Sequence, residues 1–213
     1  MSPVRRAATP RGALYRVGRL PDPLAWPPHE LTGNGRFDDP QGEFRVLYTG
    51  QRRACFLETL APFRPSLEAL SAWQQVTGSQ EPSPRGVVPA DWYQKRAVAR
   101  LRLGPGQRWL DLRATATREA LRSELAAALL DLGLTDLDLS GVLGPRRHLT
   151  QAIARWAYEH GYAGIVYRSR FDDALSLWAI FEGAAFEPVG VPEPIVPDDP
   201  DLVAAARLFG LAI

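Results

Sequence analysis

One cysteine, one lysine and three histidines are all that this chain of 213 residues has of those types. Cys55 alone cannot close an intrachain disulfide, so a reducing, cytoplasmic compartment is the natural expectation. Cys55 lies in an apolar run with no nearby histidine to activate it, and reads as a buried, inert thiol. His29, His148 and His160 are scattered, and one cysteine cannot complete a zinc set, so no metal is expected. No apolar run approaches the ~20 residues of a membrane-spanning helix. The basic start has no apolar stretch behind it and reads as a flexible arm over residues 1–12, not a secretion signal. The 25 basic residues nearly balance the 24 acidic ones, so no overall field recruits nucleic acid or an anionic membrane. Neither a GxGxxG fingerprint nor a P-loop occurs, and no GxSxG elbow surrounds a serine.

Arginine is plentiful. Lys95 is the sole lysine, so every other cation is a planar fork suited to phosphate or carboxylate. The stretch 35–65 carries the position hardest to explain by packing. Residues 54–63 read ACFLETLAPF, with Glu58 as their only charge. On a helix, positions 54, 57, 58 and 61 share one face, so Glu58 falls on an apolar stripe. A carboxylate there costs several kcal/mol unless a cation or hydrogen bonds meet it. Arg36, in the turn Gly33-Asn34-Gly35-Arg36, Arg45 and Arg16 are the candidate partners. A helix rotated to expose Glu58, or a purely structural Arg–Glu pair, explains the pattern equally simply.

Punctuation divides the rest. Strands are expected at 13–18, 45–49, 97–103, 107–112, 163–167 and 177–181, with helices at 51–61, from Ser66, from Thr115 or Thr117, at 147–160 and from Asp199. Prolines and glycines make 20–40 a long loop, and residues 77–90 read as an exposed loop or insertion. Residues 104–106 read as the turn of a hairpin. Hairpins mixed with helices favour one α+β domain over 13–213, with a small mixed or antiparallel β core flanked by helices. Ser169, ending a strand, is placed to touch a ligand, though a strand-ending serine is also common. Glu182 is an outside candidate.

These pieces together resemble the RES domain family. They are Tyr15-Arg16 in the first strand, GRFD at 35–38, RVLYTG at 45–50, ACFLETL at 54–60, GIVYRSR at 164–170 and LWAIFE at 177–182. The resemblance covers roughly 14–182 and omits residues 77–90 and the extension 187–213. It implies that the family's glutamate is Glu58, its serine Ser169, its tyrosine Tyr48, and its arginine Arg16 or Arg36. It further implies an ADP-ribosyltransferase-like fold, NAD+ as substrate and no other cofactor. The implied reaction cleaves the nicotinamide–ribose bond, with water or phosphate as acceptor. Glu58, Arg36 and Ser169 would then be catalytic, and Arg16, Arg36, Tyr48 and Ser169 would bind the dinucleotide. Transfer of ADP-ribose to a protein, or nucleotide binding without cleavage, are the alternatives. Implied partners are a helix-turn-helix (Xre-type) antitoxin and, as an open option, a second copy of the chain.

Overall fold

The computed structural model describes residues 4–77 and 85–213. The strands are β1 (Arg6–Ala7), β2 (Leu14–Arg19), β3 (Val46–Gly50), β4 (Gly86–Val87), β5 (Arg96–Leu103), β6 (Trp109–Asp111), β7 (Gly164–Arg168), β8 (Ser176–Phe181), β9 (Phe186–Pro188), β10 (Glu193–Pro194) and β11 (Leu211–Ala212). The helices are α1 (Arg52–Leu60), α2 (Leu67–Thr77), α3 (Ala90–Gln94), α4 (Thr115–Glu124), α5 (Ala126–Asp131), α6 (Leu139–Leu143), α7 (Arg147–Glu159) and α8 (Pro200–Phe209). Nine strands form one sheet in the order β1-β6-β7-β8-β3-β2-β5-β10, with β9 also on β5. All its pairings are antiparallel except β6 with β7, while β4 and β11 form a separate parallel pair. This is an α+β fold with a mostly antiparallel sheet flanked by helices.

Helix ends follow local chemistry. Ser66 Oγ accepts from Ala69 N at 3.1 Å ahead of α2. Asp199 accepts from the N–H groups of Asp201 and Leu202, with Pro200 at the first position of α8. Gly161 lies past the end of α7 at φ +71°, where the Tyr162 N–H returns to the Ala157 carbonyl.

The central strands are buried on both faces. Ile165 and Tyr167 of β7, with Leu177, Ala179 and Phe181 of β8, pack on α7 through Leu149, Ile153, Ala154 and Ala157. The residues between them, Val166, Trp178 and Ile180, join Leu14, Leu47, Leu101 and Trp109 on the other face. A third cluster joins α1 to α8: Phe56, Leu57 and Leu60 against Leu202, Ala205 and Phe209. Phe56, Leu57 and Leu60 are fully buried, each worth roughly 1.5–3 kcal/mol relative to exposure. Ala54 belongs to the first cluster, so α1 spans the seam between two parts of the core.

Three expectations change. Residues 104–106 make a turn but not a hairpin turn. The two sides of β5 are taken by β2 and by β9 and β10, while β6 lies between β1 and β7. Residues 6 and 7, inside the expected flexible arm, pair with Leu110 and Trp109 as an edge strand. The segment read as an extension past residue 187 is built in: β9 and β10 lie on β5, and α8 packs on α1. Of the expected 77–90 loop, residues 78–84 lie outside the described residues, and the rest contributes β4 and the start of α3.

Candidate functional site

The site grows from a failed ladder. β2 and β3 pair through only Tyr15 and Gly50 before they part. Beyond that point Arg16 supplies donors from its side chain: Nη1 to the Tyr48 carbonyl at 2.8 Å and Nε to the Pro23 carbonyl at 2.9 Å. A cavity of about 380 Å³ opens here, lined by Arg16, Val17, Gly35, Arg36, Tyr48, Thr49, Cys55, Glu58, Thr59, Pro145, Arg147, Tyr167, Arg170 and Leu177. Four of these residues are arginines, and Glu58 is the single carboxylate.

The loop before β3 forms one wall. Asp38 accepts from Gly35 N at 2.7 Å through one oxygen and from the Tyr48 hydroxyl at 2.7 Å through the other. The Tyr48 hydroxyl in turn accepts from Phe37 N at 2.9 Å. Burial and the Asp38 charge hold the Tyr48 phenol well above its ordinary pKa, so it stays protonated. Position 35 requires glycine, because a Cβ there would lie 2.4 Å from Asp38 Oδ1 and 2.5 Å from the Tyr48 hydroxyl. Helix α7 grips the same loop. Gln151 Nε2 donates to the Gly33 and Gly35 carbonyls at 3.0 and 3.1 Å, Thr150 to the Arg36 carbonyl, and Arg147 to the Asn34 carbonyl.

Arg36 lines the cavity from this loop. Its Nη1 donates to the Val142 and Gly144 carbonyls and its Nη2 to that of Leu143, at the end of α6. Among the described residues these bonds leave Nε and one Nη2 hydrogen without acceptors, and those are donors a ligand oxyanion could take. Burial lowers the pKa of both Arg36 and Arg16, and neither forms an ion pair with a carboxylate among the described residues.

Glu58 accepts from Ser169 Oγ at 3.0 Å and has no ion-pair partner among the described residues. Burial raises its pKa above the ordinary glutamate value, against the pull of the Ser169 hydroxyl and the charges of Arg170 and Arg36. Ser169, 1% exposed, is itself held: its backbone N–H meets the Leu175 carbonyl, and its Oγ accepts from Phe171 N at 3.2 Å. Arg16, Arg36, Tyr48 and Glu58 thus line one cavity, and Ser169 sits behind Glu58. Arg45 does not join them. It bonds Glu182 through Nε at 2.9 Å, because β3 and β8 pair Val46 with Phe181 and leave the flanking Arg45 beside Glu182. Neither residue lines the cavity. Burial pushes the Cys55 thiol up to about 12, and its sulfur donates to the Tyr15 carbonyl at 3.0 Å, so the inert reading stands. No cluster of metal-ligating side chains occurs among the described residues.

Sequence reasoning passed over Tyr167, Arg147 and Arg170. Tyr167 looks like one more core aromatic in an apolar strand, Arg147 like a solvated charge at the start of a helix, and Arg170 like a solvated loop charge. The only available signal for Tyr167 was alternation, which puts it on the same side of the chain as Ser169, one residue past the end of β7.

Residues 13–204 match the family model described as "RES domain". The match continues past residue 182 through β9, β10 and the start of α8. A chain from a crystal structure of the M. tuberculosis MbcT–MbcA toxin–antitoxin complex has a similar fold, with a TM-score of 0.53 at 14% identity, over 95% of this chain and 91% of that one. A search of curated proteins returns no match.

Proposed function

The chain belongs to the RES domain family, and on that premise we propose that it consumes NAD+ by cleaving the bond between nicotinamide and ribose. The observation that carries this is the charge pattern of the cavity, where a single partly buried carboxylate faces four arginines. NAD+ presents the complementary pattern: a diphosphate for guanidinium groups, and a ribose carbon that turns cationic as nicotinamide departs.

In the proposed reaction the C1′–N bond breaks with its electron pair passing to the pyridinium ring, so nicotinamide leaves neutral. The ribose becomes oxocarbenium-like, and the Glu58 carboxylate stabilises that charge as carboxylates do in glycoside cleavage. A water or phosphate oxygen then bonds to C1′, and a proton lost from water passes to Glu58. Burial raises the basicity of Glu58, which suits it to accept that proton. Ser169 orients the carboxylate. The free donors of Arg36, with Arg16 and Arg170, take the diphosphate. Tyr48 offers its ring face to a base, since its hydroxyl is already bonded on both sides. The likeness to a chain of a toxin–antitoxin complex supports a toxin role, with an antitoxin that covers this chain. No helix among the described residues is long and apolar enough to cross a membrane.

The acceptor is tested by incubating the protein with NAD+ with and without phosphate and separating the products. Free ADP-ribose in both buffers marks a glycohydrolase, and ADP-ribose 1″-phosphate formed only with phosphate marks a phosphorylase. Intact NAD+ in both, with label from NAD+ appearing on a lysate protein, contradicts the proposal in favour of transfer to protein.

A further inference from the structure

Two tyrosines line the cavity, and the protein treats their hydroxyls differently. The Tyr48 hydroxyl both donates, to Asp38, and accepts, from Phe37 N. Tyr167 is only 7% exposed, yet its hydroxyl has no hydrogen-bond partner among the described residues. The hydroxyl opens to the cavity and is not sealed in the core, and a polar atom on a cavity wall with no protein partner marks a place where a ligand supplies one.

The surroundings narrow what that partner is. The Tyr167 ring is fixed by β7 and packs tilted on Phe37, with centroids 4.7 Å apart. Ser169, two residues on and one past the end of β7, continues the pairing through its N–H to the Leu175 carbonyl and bonds Glu58. Ser169 thus bonds the Glu58 carboxylate from the end of the strand that carries Tyr167. Burial, then the Glu58 charge, lifts the Tyr167 phenol well above its ordinary pKa, while Arg36 pulls it back. The phenol is a permanent donor and the carboxylate an acceptor, close enough to feel each other but not bonded. A group that accepts from one and donates to the other completes the arrangement, and a sugar hydroxyl does both.

We propose that Tyr167 is a substrate contact that donates to a hydroxyl of the nicotinamide ribose, whose own proton is donated to Glu58. This rests on the NAD+ reading above. The bracket makes the site selective for a ribose with that hydroxyl in place, because an analogue lacking it leaves both protein groups unpaired.

The test measures kcat/KM of the wild type and of Tyr167→Phe on NAD+ and on analogues lacking the 2′- or the 3′-hydroxyl of the nicotinamide ribose. The expected result is a loss of about 10-fold for Tyr167→Phe on NAD+. That loss should disappear on one of the two analogues, on which the wild type is already slow. Melting temperature should be unchanged or higher, since no protein hydrogen bond is removed. Unaltered kcat/KM on NAD+, or an equal loss on NAD+ and both analogues, would overturn the assignment while leaving the NAD+ reading intact. A wild type that leaves NAD+ untouched would instead sink the NAD+ reading, and this inference with it.

Discussion

Glu58 has a hydroxyl, not a cation, as its direct partner, and its chemistry follows from that. Removing the donor with Ser169→Ala leaves burial less opposed, so the Glu58 pKa rises further. If the ionised form is the active one, the acidic limb of kcat/KM moves to higher pH, and neutral activity falls roughly 10-fold or more. A limb that stays in place would contradict the coupling. The same shift bears on stability. A carboxyl whose folded pKa is raised contributes stability that is complete below its unfolded pKa and lost as pH rises through the folded value. At neutral pH Glu58 is therefore a burden, and Glu58→Gln should melt higher, by roughly 2–4 °C for each ~1 kcal/mol relieved. The gain should vanish in acid, and differential scanning calorimetry at two pH values checks it. Tyr48→Phe should do the opposite, costing about 1–3 kcal/mol by orphaning Phe37 N and one Asp38 oxygen. Glu58 was legible in the sequence because a lone charge in an apolar run demands an explanation. The partner of Arg45 was not, because it depends on the register that sets Val46 opposite Phe181.

Among elements, α7 does more than cover the sheet. Thr150 and Gln151, one turn into the helix, hold three carbonyls of the loop that carries Arg36. Gln151→Ala should cost about 1–3 kcal/mol by urea melts. It should also raise KM for NAD+ more than it lowers kcat, since Arg36 binds the diphosphate in this account. A fall in kcat alone would point to a different role for the loop. At the other end, Asp199 caps α8 and also pairs with Arg52 of α1. Most helices and strands were readable from caps, periodicity and proline, because those signals are local. Which strands neighbour one another was not. The glycine turn at 104–106 carries every mark of a hairpin, yet β5 and β6 end up apart because β2, β9 and β10 compete for the sides of β5. The pairings of β1, β9 and β10 were equally hidden, since strands of two or three residues give no period to read.

For the molecule as a whole, the formal charge of +1 conceals a cavity where four arginines face one carboxylate. The sheet opens between β2 and β3, α1 bridges the seam of the core, and the loop at 33–39, α7 and the end of β7 close around the gap. Site residues far apart in sequence meet because the fold leaves this one ladder unfinished. The central claim is that the site breaks the nicotinamide–ribose bond and that Glu58 carries the chemistry. The most direct measurement is nicotinamide release from NAD+ by the purified wild type and by Glu58→Gln, with NAD+ binding to each followed by calorimetry. The account predicts release by the wild type, a fall of at least about 100-fold in Glu58→Gln, and retained binding by the variant. Equal release from both proteins, or no release and no binding by the wild type, would contradict it.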